Sequence, residues 1–228
     1  MNRLNAREEN ILDFIIRDYV QSAVPVSSGR VCTAGNFRLS PATLRNAMLE
    51  LDEEGYLEQP HTSSGRIPTD KAYRYFVDNL MSYKAPAKKE KLHGLVFEDF
   101  ARAISDELGL FSGFASFGGK HTLETFGLER LFSEPEFSDR NLTMEFSRLV
   151  DNLEKVAEEF LEDAFEDRPA IFIGEENPLE GAGDFSSVVM KFSNNEYGKC
   201  VIFSLGPKRM NYERASSIIN FVVKDITE

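Results

Sequence analysis

The 228-residue chain has no tryptophan, two cysteines and three histidines, and each scarcity removes a class of chemistry. Cys32 and Cys200 lie 168 positions apart, too few and too distant for a disulfide framework or for metal-ligand spacing, so both are expected to be reduced, small apolar residues. His61, His93 and His121 are scattered. They form no His-x-x-x-His pair and no local Ser-His-Asp order, which leaves zinc sites and triad catalysis without a sequence basis. Long apolar runs are missing too. No tract approaches a membrane span, and the opening Met1-Asn2-Arg3-Leu4-Asn5 has no secretory apolar core, so a cytoplasmic protein without a membrane partner is expected.

What the chain does have is 42% hydrophobic residues, 19 of them phenylalanine, enough to build cores for one large or two modest domains. Its net charge of −12 is unevenly placed. Residues 1–84 carry 10 Lys+Arg against 11 Asp+Glu, whereas residues 85–228 carry 16 against 27. An acidic body repels nucleic acid, but here the acidity belongs to the second part. Within the first part, Glu50, Asp52, Glu53 and Glu54 crowd one end of a helix, leaving Arg38, Arg45, Arg66 and Lys71 to form a locally positive surface.

The most informative stretch runs from Leu39 to Asp78. Ser40 is a helix N-cap and Pro41 suits the first helical position, where its missing N–H costs nothing. Leu44, Met48 and Leu51 then recur at helical spacing as an inward stripe, while Thr43, Arg45 and Asn46 fall mostly on other faces. Arginine can donate twice to guanine, asparagine pairs with adenine, and a threonine methyl packs on thymine, so these residue types suit a major-groove reader. Gly55 is expected as the C-cap. Tyr56-Leu57-Glu58 and Ile67-Pro68 flank the small, polar turn His61-Thr62-Ser63-Ser64-Gly65-Arg66, which predicts a hairpin whose hydroxyls, amides and Arg66 approach phosphate. Upstream, Leu4, Ile11, Leu12, Ile15, Ile16 and Tyr19 mark an amphipathic first helix; Pro25-Val26 breaks the chain, and Ser27 or Ser28 begins a short second helix ending near Gly35-Asn36. Helix, helix, reader helix and hairpin in that order describe a winged helix-turn-helix.

At these residues the chain resembles the HrcA family of bacterial heat-inducible transcription repressors. The matching strings are PVSS (Pro25 to Ser28), LSPATLRN (Leu39 to Asn46), LDEEGYLEQPHTSSGRIPTD (Leu51 to Asp70) and YRYFVD (Tyr73 to Asp78). A second block resembles the same family: SEPEFSD (Ser133 to Asp139), IGEENPLEG (Ile173 to Gly181) and LGPKRMNYER (Leu205 to Arg214). The resemblance implies an α+β protein with an N-terminal winged helix-turn-helix over 1–84, a linker and connecting helix over 85–110, and a reduced GAF-like sensor domain over 111–228. It implies DNA contacts from Ser28, Arg30, Ser40, Ala42, Thr43, Arg45, Asn46, His61, Thr62, Ser63, Ser64, Gly65 and Arg66. Gly29 stands where the family usually has a basic residue, with Arg30 beside it to supply the charge.

The implied function is repression of chaperone operons through an inverted-repeat operator of the CIRCE type, with release on heat stress. The implied partners are double-stranded DNA, a second copy of the chain and the GroE chaperonin; no cofactor is implied and no enzyme activity. The family's inserted dimerisation segment is missing, because one short Gly-rich stretch joins Phe111 to Ser133. The alternative is a winged-helix regulator that senses a small ligand through the GAF-like half.

In the second half, Phe111 to Phe117, Ala170 to Ile173, Ser187 to Phe192 and Cys200 to Leu205 read as strands; helices are expected at about 90–108, 140–165 and 212–226. Together they predict an antiparallel sheet flanked by helices. Glu175-Glu176-Asn177 reads as a solvated or capping turn, and Gly118-Gly119-Lys120-His121-Thr122 as a tight turn that lacks phosphate-loop spacing.

Overall fold

Asn5 starts the first helix with a reciprocal cap: its Oδ1 accepts from the N–H groups of Arg7 and Glu8, and Glu8 Oε2 accepts from the Asn5 N–H at 2.9 Å. The structure is a computed structural model that describes residues 4–82, 99–119, 122–165 and 167–227. It divides into two compact units, Met1–Met81 and Ser82–Glu228.

In the first unit α1 (Ala6–Ser22) buries Ile11, Leu12, Ile15 and Ile16 and ends at Ala23 in the left-handed region. Ser27 caps α2 (Ser28–Ala34), and Ser40 caps α3 (Pro41–Glu53), each by accepting a backbone N–H three residues on. The buried side of α3 is Leu44, Ala47, Met48 and Leu51. The C-cap of α3 is Glu54 and not the expected Gly55; the glycine follows at φ +77°, a left-handed conformation that lets the chain turn back at once. Two-residue strands β1 (Leu57–Glu58) and β2 (Ile67–Pro68) then pair antiparallel. Thr69 caps α4 (Asp70–Tyr75), which continues as a π-helical turn over Phe76–Leu80. Tyr56 and Tyr75 meet edge to face at 5.5 Å, and the Tyr75 hydroxyl donates to Glu9 Oε1 at 2.7 Å, tying the C-terminal helix of the unit to α1.

The second unit is an antiparallel five-stranded sheet in the order β4-β3-β7-β6-β5, with helices on both faces, so the chain is α+β. Its elements are α5 (Phe100–Leu108), β3 (Phe111–Gly118), β4 (Thr122–Phe126), α6 (Leu128–Leu131), α7 (Arg140–Asp151), α8 (Leu153–Asp163), β5 (Ala170–Ile173), β6 (Phe185–Asn194), β7 (Gly198–Pro207) and α9 (Tyr212–Thr227). Alternation sorts the strands between layers. Phe111, Ala115, Phe185, Val189, Val201, Phe203 and Leu205 join Phe146, Leu149, Val156 and Phe160 of α7 and α8, while α5 and α9 cover the opposite face.

Two expectations change, and a third is met over the part that is described. β4 was read as part of a Gly-rich connection; Thr122–Phe126 alternates too weakly to announce itself, every residue being half-buried at the sheet edge. The helix expected over 140–165 is two, because Asn152 leaves helical geometry (φ −118°, ψ 31°) and turns its side-chain amide back to the Arg148 carbonyl at 2.8 Å. Of the helix expected over 90–108, only Phe100–Leu108 is described; Leu92, Leu95, Val96, His93 and the linker lysines lie outside the described residues, as do Lys120 and His121.

The strings that carry the resemblance in this unit are joints. Arg209, 11% exposed, is ion-paired with both Glu134 and Glu136, so LGPKRMNYER is bolted to SEPEFSD. Burial alone would lower the Arg209 pKa, but the two carboxylates outweigh it and the net direction is upward. In IGEENPLEG the Asn177 amide donates to the carbonyls of Gly174 (3.0 Å) and Phe185 (2.9 Å) and accepts from the Ser187 hydroxyl (2.6 Å), and Glu176 accepts from the Ile173 N–H. The Glu175-Glu176-Asn177 segment is therefore a capping turn.

Phe146 lies at the centre of this unit's aromatic cluster, with Phe111, Phe137 and Phe185 rings at 5.5, 5.6 and 5.1 Å. Phe146→Ala is expected to cost about 3–5 kcal/mol in denaturant unfolding of the second unit; a loss below about 1 kcal/mol would show that the cluster is loosely packed. In the first unit, burial and then the hydrogen bond to Glu9 raise the Tyr75 phenol from 10 to about 12. The unfolded chain ionises it near 10, so its contribution to stability is intact below that pH and is lost as pH climbs toward 12. Thermal melts across that window should fall more steeply for the wild type than for Tyr75→Phe.

Candidate nucleic-acid interface

Burial of Leu44, Ala47, Met48 and Leu51 fixes the rotation of α3 about its axis, and the opposite side is bare: Ala42, Arg45, Asn46 and Leu49 are exposed at i, i+3, i+4 and i+7. Among the described residues, Arg45 makes no ion pair and no hydrogen bond. Thr43 falls to one side, half-buried, with its hydroxyl 2.9 Å from that of Ser40, which in turn accepts from the Thr43 N–H. These two hydroxyls close the helix end. Ala42, Arg45 and Asn46 are thus brought together as one face, and Ser40 and Thr43 border it.

Leu49 belongs to that face and was not among the expected residues. At 43% exposure it is an uncovered apolar side chain between Arg45, Asn46 and Glu53. The signal was present: Leu49 lies about 140° around a helix from Leu44, on the Arg45 side.

Arg30, expected to offer charge from α2, lies against α1. Its Nε and Nη2 donate to Asp18 at 3.1 and 2.8 Å, and the Asp18 carboxylate raises its pKa. Ser28 is half-buried in the first turn of α2, and the capping oxygen is that of Ser27, which accepts from the Arg30 N–H at 3.1 Å.

The hairpin between β1 and β2 is stapled from within. The Gln59 amide donates to the carbonyls of Thr62 and Ser64, both at 3.0 Å, and the Ser64 hydroxyl donates to the His61 carbonyl at 2.7 Å. Ser64 is consequently committed to the turn. The side chains of His61, Thr62 and Ser63 are exposed and make no hydrogen bond among the described residues. Gly65 has a packing reason: a Cβ there would lie 2.5 Å from the Val26 backbone, where Val26 and Arg66 exchange two N–H···O bonds of 2.9 Å.

Arg66 differs most from expectation. Its guanidinium does not project from the hairpin; the side chain is 15% exposed and its buried Nε lies 2.6 Å from Asp52 Oδ2 on the last turn of α3, an ion pair held by charge and proximity without an aligned Nε–H hydrogen bond. Lys71 is likewise engaged, donating to the Glu54 carbonyl at 2.6 Å and lying 4.2 Å from the centre of the Tyr56 ring. A cation there complements the C-terminal end of α3. Of the four cations expected on the groove side, only Arg38 and Arg45 are without a partner among the described residues.

Elsewhere the chemistry is sparse. No group of three or more His, Cys, Asp or Glu among the described residues could hold a metal ion, and Cys200 is buried with its thiol pushed up to about 11 by desolvation. No described helix is long and apolar enough to cross a membrane. In the second unit an open cavity of about 410 Å³ lies between α7, α8 and Leu179–Gly181, with Glu145, Arg148, Lys155 and Glu159 among its lining.

The family model of the HrcA protein C-terminal domain matches residues 69–215. A heat-inducible transcription repressor HrcA of Desulforudis audaxviator is 49% identical over 89 residues, 39% of this chain and 26% of that protein. Another, of Chlorobium chlorochromatii, is 53% identical over 88 residues, 39% of this chain and 25% of its own length. The aligned part therefore spans about a quarter of these curated relatives. A crystal structure of a hypothetical protein shares the fold, with a TM-score of 0.76 over 98% of this chain and 96% of that one at 19% identity.

Gly65→Ala forces apart the Val26 and Arg66 backbones, and the expected result is a lower melting temperature for the first unit by several degrees. An unchanged melt with intact Val26 and Arg66 amide protection would show that the bridge tolerates a side chain.

Proposed function

The chain belongs to the HrcA family, and from that premise we propose that its first unit is a winged helix-turn-helix that binds double-stranded DNA and that the protein is a heat-inducible transcription repressor. The observation that carries the proposal is the bare face of α3, where Arg45 and Asn46 stand free beside Ala42 and Leu49, opposite the buried stripe. Arg45 and Asn46 supply hydrogen bonds to base edges, and Ala42 and Leu49 supply apolar contact for thymine methyl groups. Ser28, Ser40 and the N-terminal turns of α2 and α3 face phosphate, as do Thr62, Ser63 and His61 of the hairpin. Arg30 joins them with its charge already balanced by Asp18. With so few unpaired cations, affinity rests on base readout more than on counterion release.

The operator would be an inverted repeat of the CIRCE type, which calls for two reader helices related by a two-fold axis and hence for a homodimer. The second unit acts as a reduced GAF-like domain that carries the dimer contact and the response to heat. Dependence on the GroE chaperonin would couple repression to the supply of free chaperonin, since a kcal/mol or two in stability changes the folded fraction several-fold. No enzyme activity is assigned. A ligand-sensing role for the second unit is favoured by one observation, the cavity beside Arg148 and Lys155.

The test is a binding titration of the full chain against a heat-shock inverted repeat and a scrambled duplex at two salt concentrations. Arg45→Ala is expected to weaken operator binding by about 1–3 kcal/mol and to relax the preference at one base pair. Equal affinity for the scrambled duplex would overturn the repressor reading.

A further inference from the structure

We infer that Arg66 and Asp52 form a latch that aims the hairpin at DNA, so that Arg66 is a positioning residue and not a phosphate contact; the inference rests on the DNA-binding reading of the first unit.

The hairpin needs such a latch. Its strands are two residues long and contribute two facing pairs, Leu57 with Pro68 and Glu58 with Ile67, which is too little to hold a loop in one orientation. Three further attachments lie at its returning arm. Arg66 exchanges two backbone hydrogen bonds with Val26. Gly65 permits that close approach, since any side chain would meet the Val26 carbonyl. The Arg66 guanidinium reaches Asp52, 14 residues back on α3, at 2.6 Å.

The first two attach the hairpin to the segment before α2. The third attaches the returning arm to the reader helix; the outgoing arm is already tied to it where the Tyr56 N–H donates to the Leu51 carbonyl at 2.8 Å, so the ion pair fixes the second side of the hairpin against α3. Everything beyond the latch points outward: the side chains of His61, Thr62 and Ser63 are exposed and uncommitted, while Gln59 and Ser64 stiffen the turn beneath them.

A phosphate contact from Arg66 would require the guanidinium, 15% exposed, to leave a carboxylate that is itself only 31% exposed, trading one oxyanion for another and leaving Asp52 facing the duplex uncompensated. The latch avoids this by neutralising Asp52 at the edge of the reading face.

The experiment uses the full chain and the inverted-repeat duplex, with Asp52→Asn, Arg66→Gln, the double variant, and the exchanged pair Asp52→Arg with Arg66→Asp. If Arg66 acts through Asp52, both single variants weaken operator binding by a similar factor, roughly tenfold, and the double variant is no weaker than either. The slope of log affinity against log salt stays at the wild-type value, and the exchanged pair recovers part of the loss. If Arg66 instead holds a phosphate, Arg66→Gln lowers the slope by about 0.9, Asp52→Asn binds as well as the wild type or better, and the exchanged pair binds worst; that outcome overturns the inference. Asp52→Asn, which keeps shape and removes only charge, carries the comparison if Arg66→Gln fails to fold. Hydrogen exchange separates the latch from the functional reading: faster exchange of the Val26 and Arg66 amides in Asp52→Asn shows the latch even if no duplex is preferred, and unchanged exchange overturns it.

Discussion

The first unit depends on one-sided burial of α3. Leu44, Ala47, Met48 and Leu51 pack inward as α1 buries Ile11, Leu12, Ile15 and Ile16, and a helix held along one stripe can neither rotate nor slide without exposing several apolar side chains at once. That restraint presents Ala42, Arg45, Asn46 and Leu49 to solvent as a set. The Ser40 cap fixes where the helix begins, and so which of its turns can enter a groove. Reading geometry is a consequence of packing, and the exposed residues need no partner of their own in the free protein.

Electrostatics in this unit work mostly at home. Arg30 is held by Asp18, Arg66 by Asp52, and Lys71 by the carbonyl end of α3, so much of the cationic inventory is devoted to joining elements. With 10 basic and 11 acidic residues over 1–84, this part of the chain cannot rely on a general attraction to phosphate. On the proposed reading, discrimination would come from the few groups left open, Arg45 foremost. For the proposed DNA-binding role, pairing cations internally would lower the background affinity for arbitrary duplex and so enlarge the ratio of specific to nonspecific binding.

How much was legible in the sequence follows the range over which each feature is determined. The cap at Ser40, the start of α2 to within one serine, the turn around Ser63 and the inward stripes of α1 and α3 are set within a few residues, and all were readable. The roles of the arginines were not. Arg30 finds Asp18 across 12 positions and Arg66 finds Asp52 across 14, and a charged residue in a polar loop carries no local mark of whether it faces solvent or a carboxylate. Gly65 reads as a turn glycine from its neighbours, whereas its necessity comes from Val26, 39 residues away. In the second unit the sheet was foreseen as antiparallel with flanking helices, but β4 was missed because an edge strand with no fully buried residue has no strong alternation to reveal it.

The two halves of the family resemblance mean different things physically. In the second unit the shared strings close on one another: Arg209 pairs with Glu134 and Glu136, and Asn177 pins Gly174, Phe185 and Ser187. Residues so thoroughly bonded inside the fold have little left to offer a ligand, and the resemblance there reports architecture. In the first unit the shared strings divide. Ser27, Gly65, Arg66 and Asp52 are bonded inward, whereas Ala42, Arg45 and Asn46, inside LSPATLRN, are left open with no structural reason to be those residue types. A bare helix face keeps arginine and asparagine at adjacent positions at no benefit to folding, since alanine is the better helix former at both. On the proposed reading of the first unit their use lies outside the chain, and a duplex groove lined with donors and acceptors is a surface that their fork and amide geometries match.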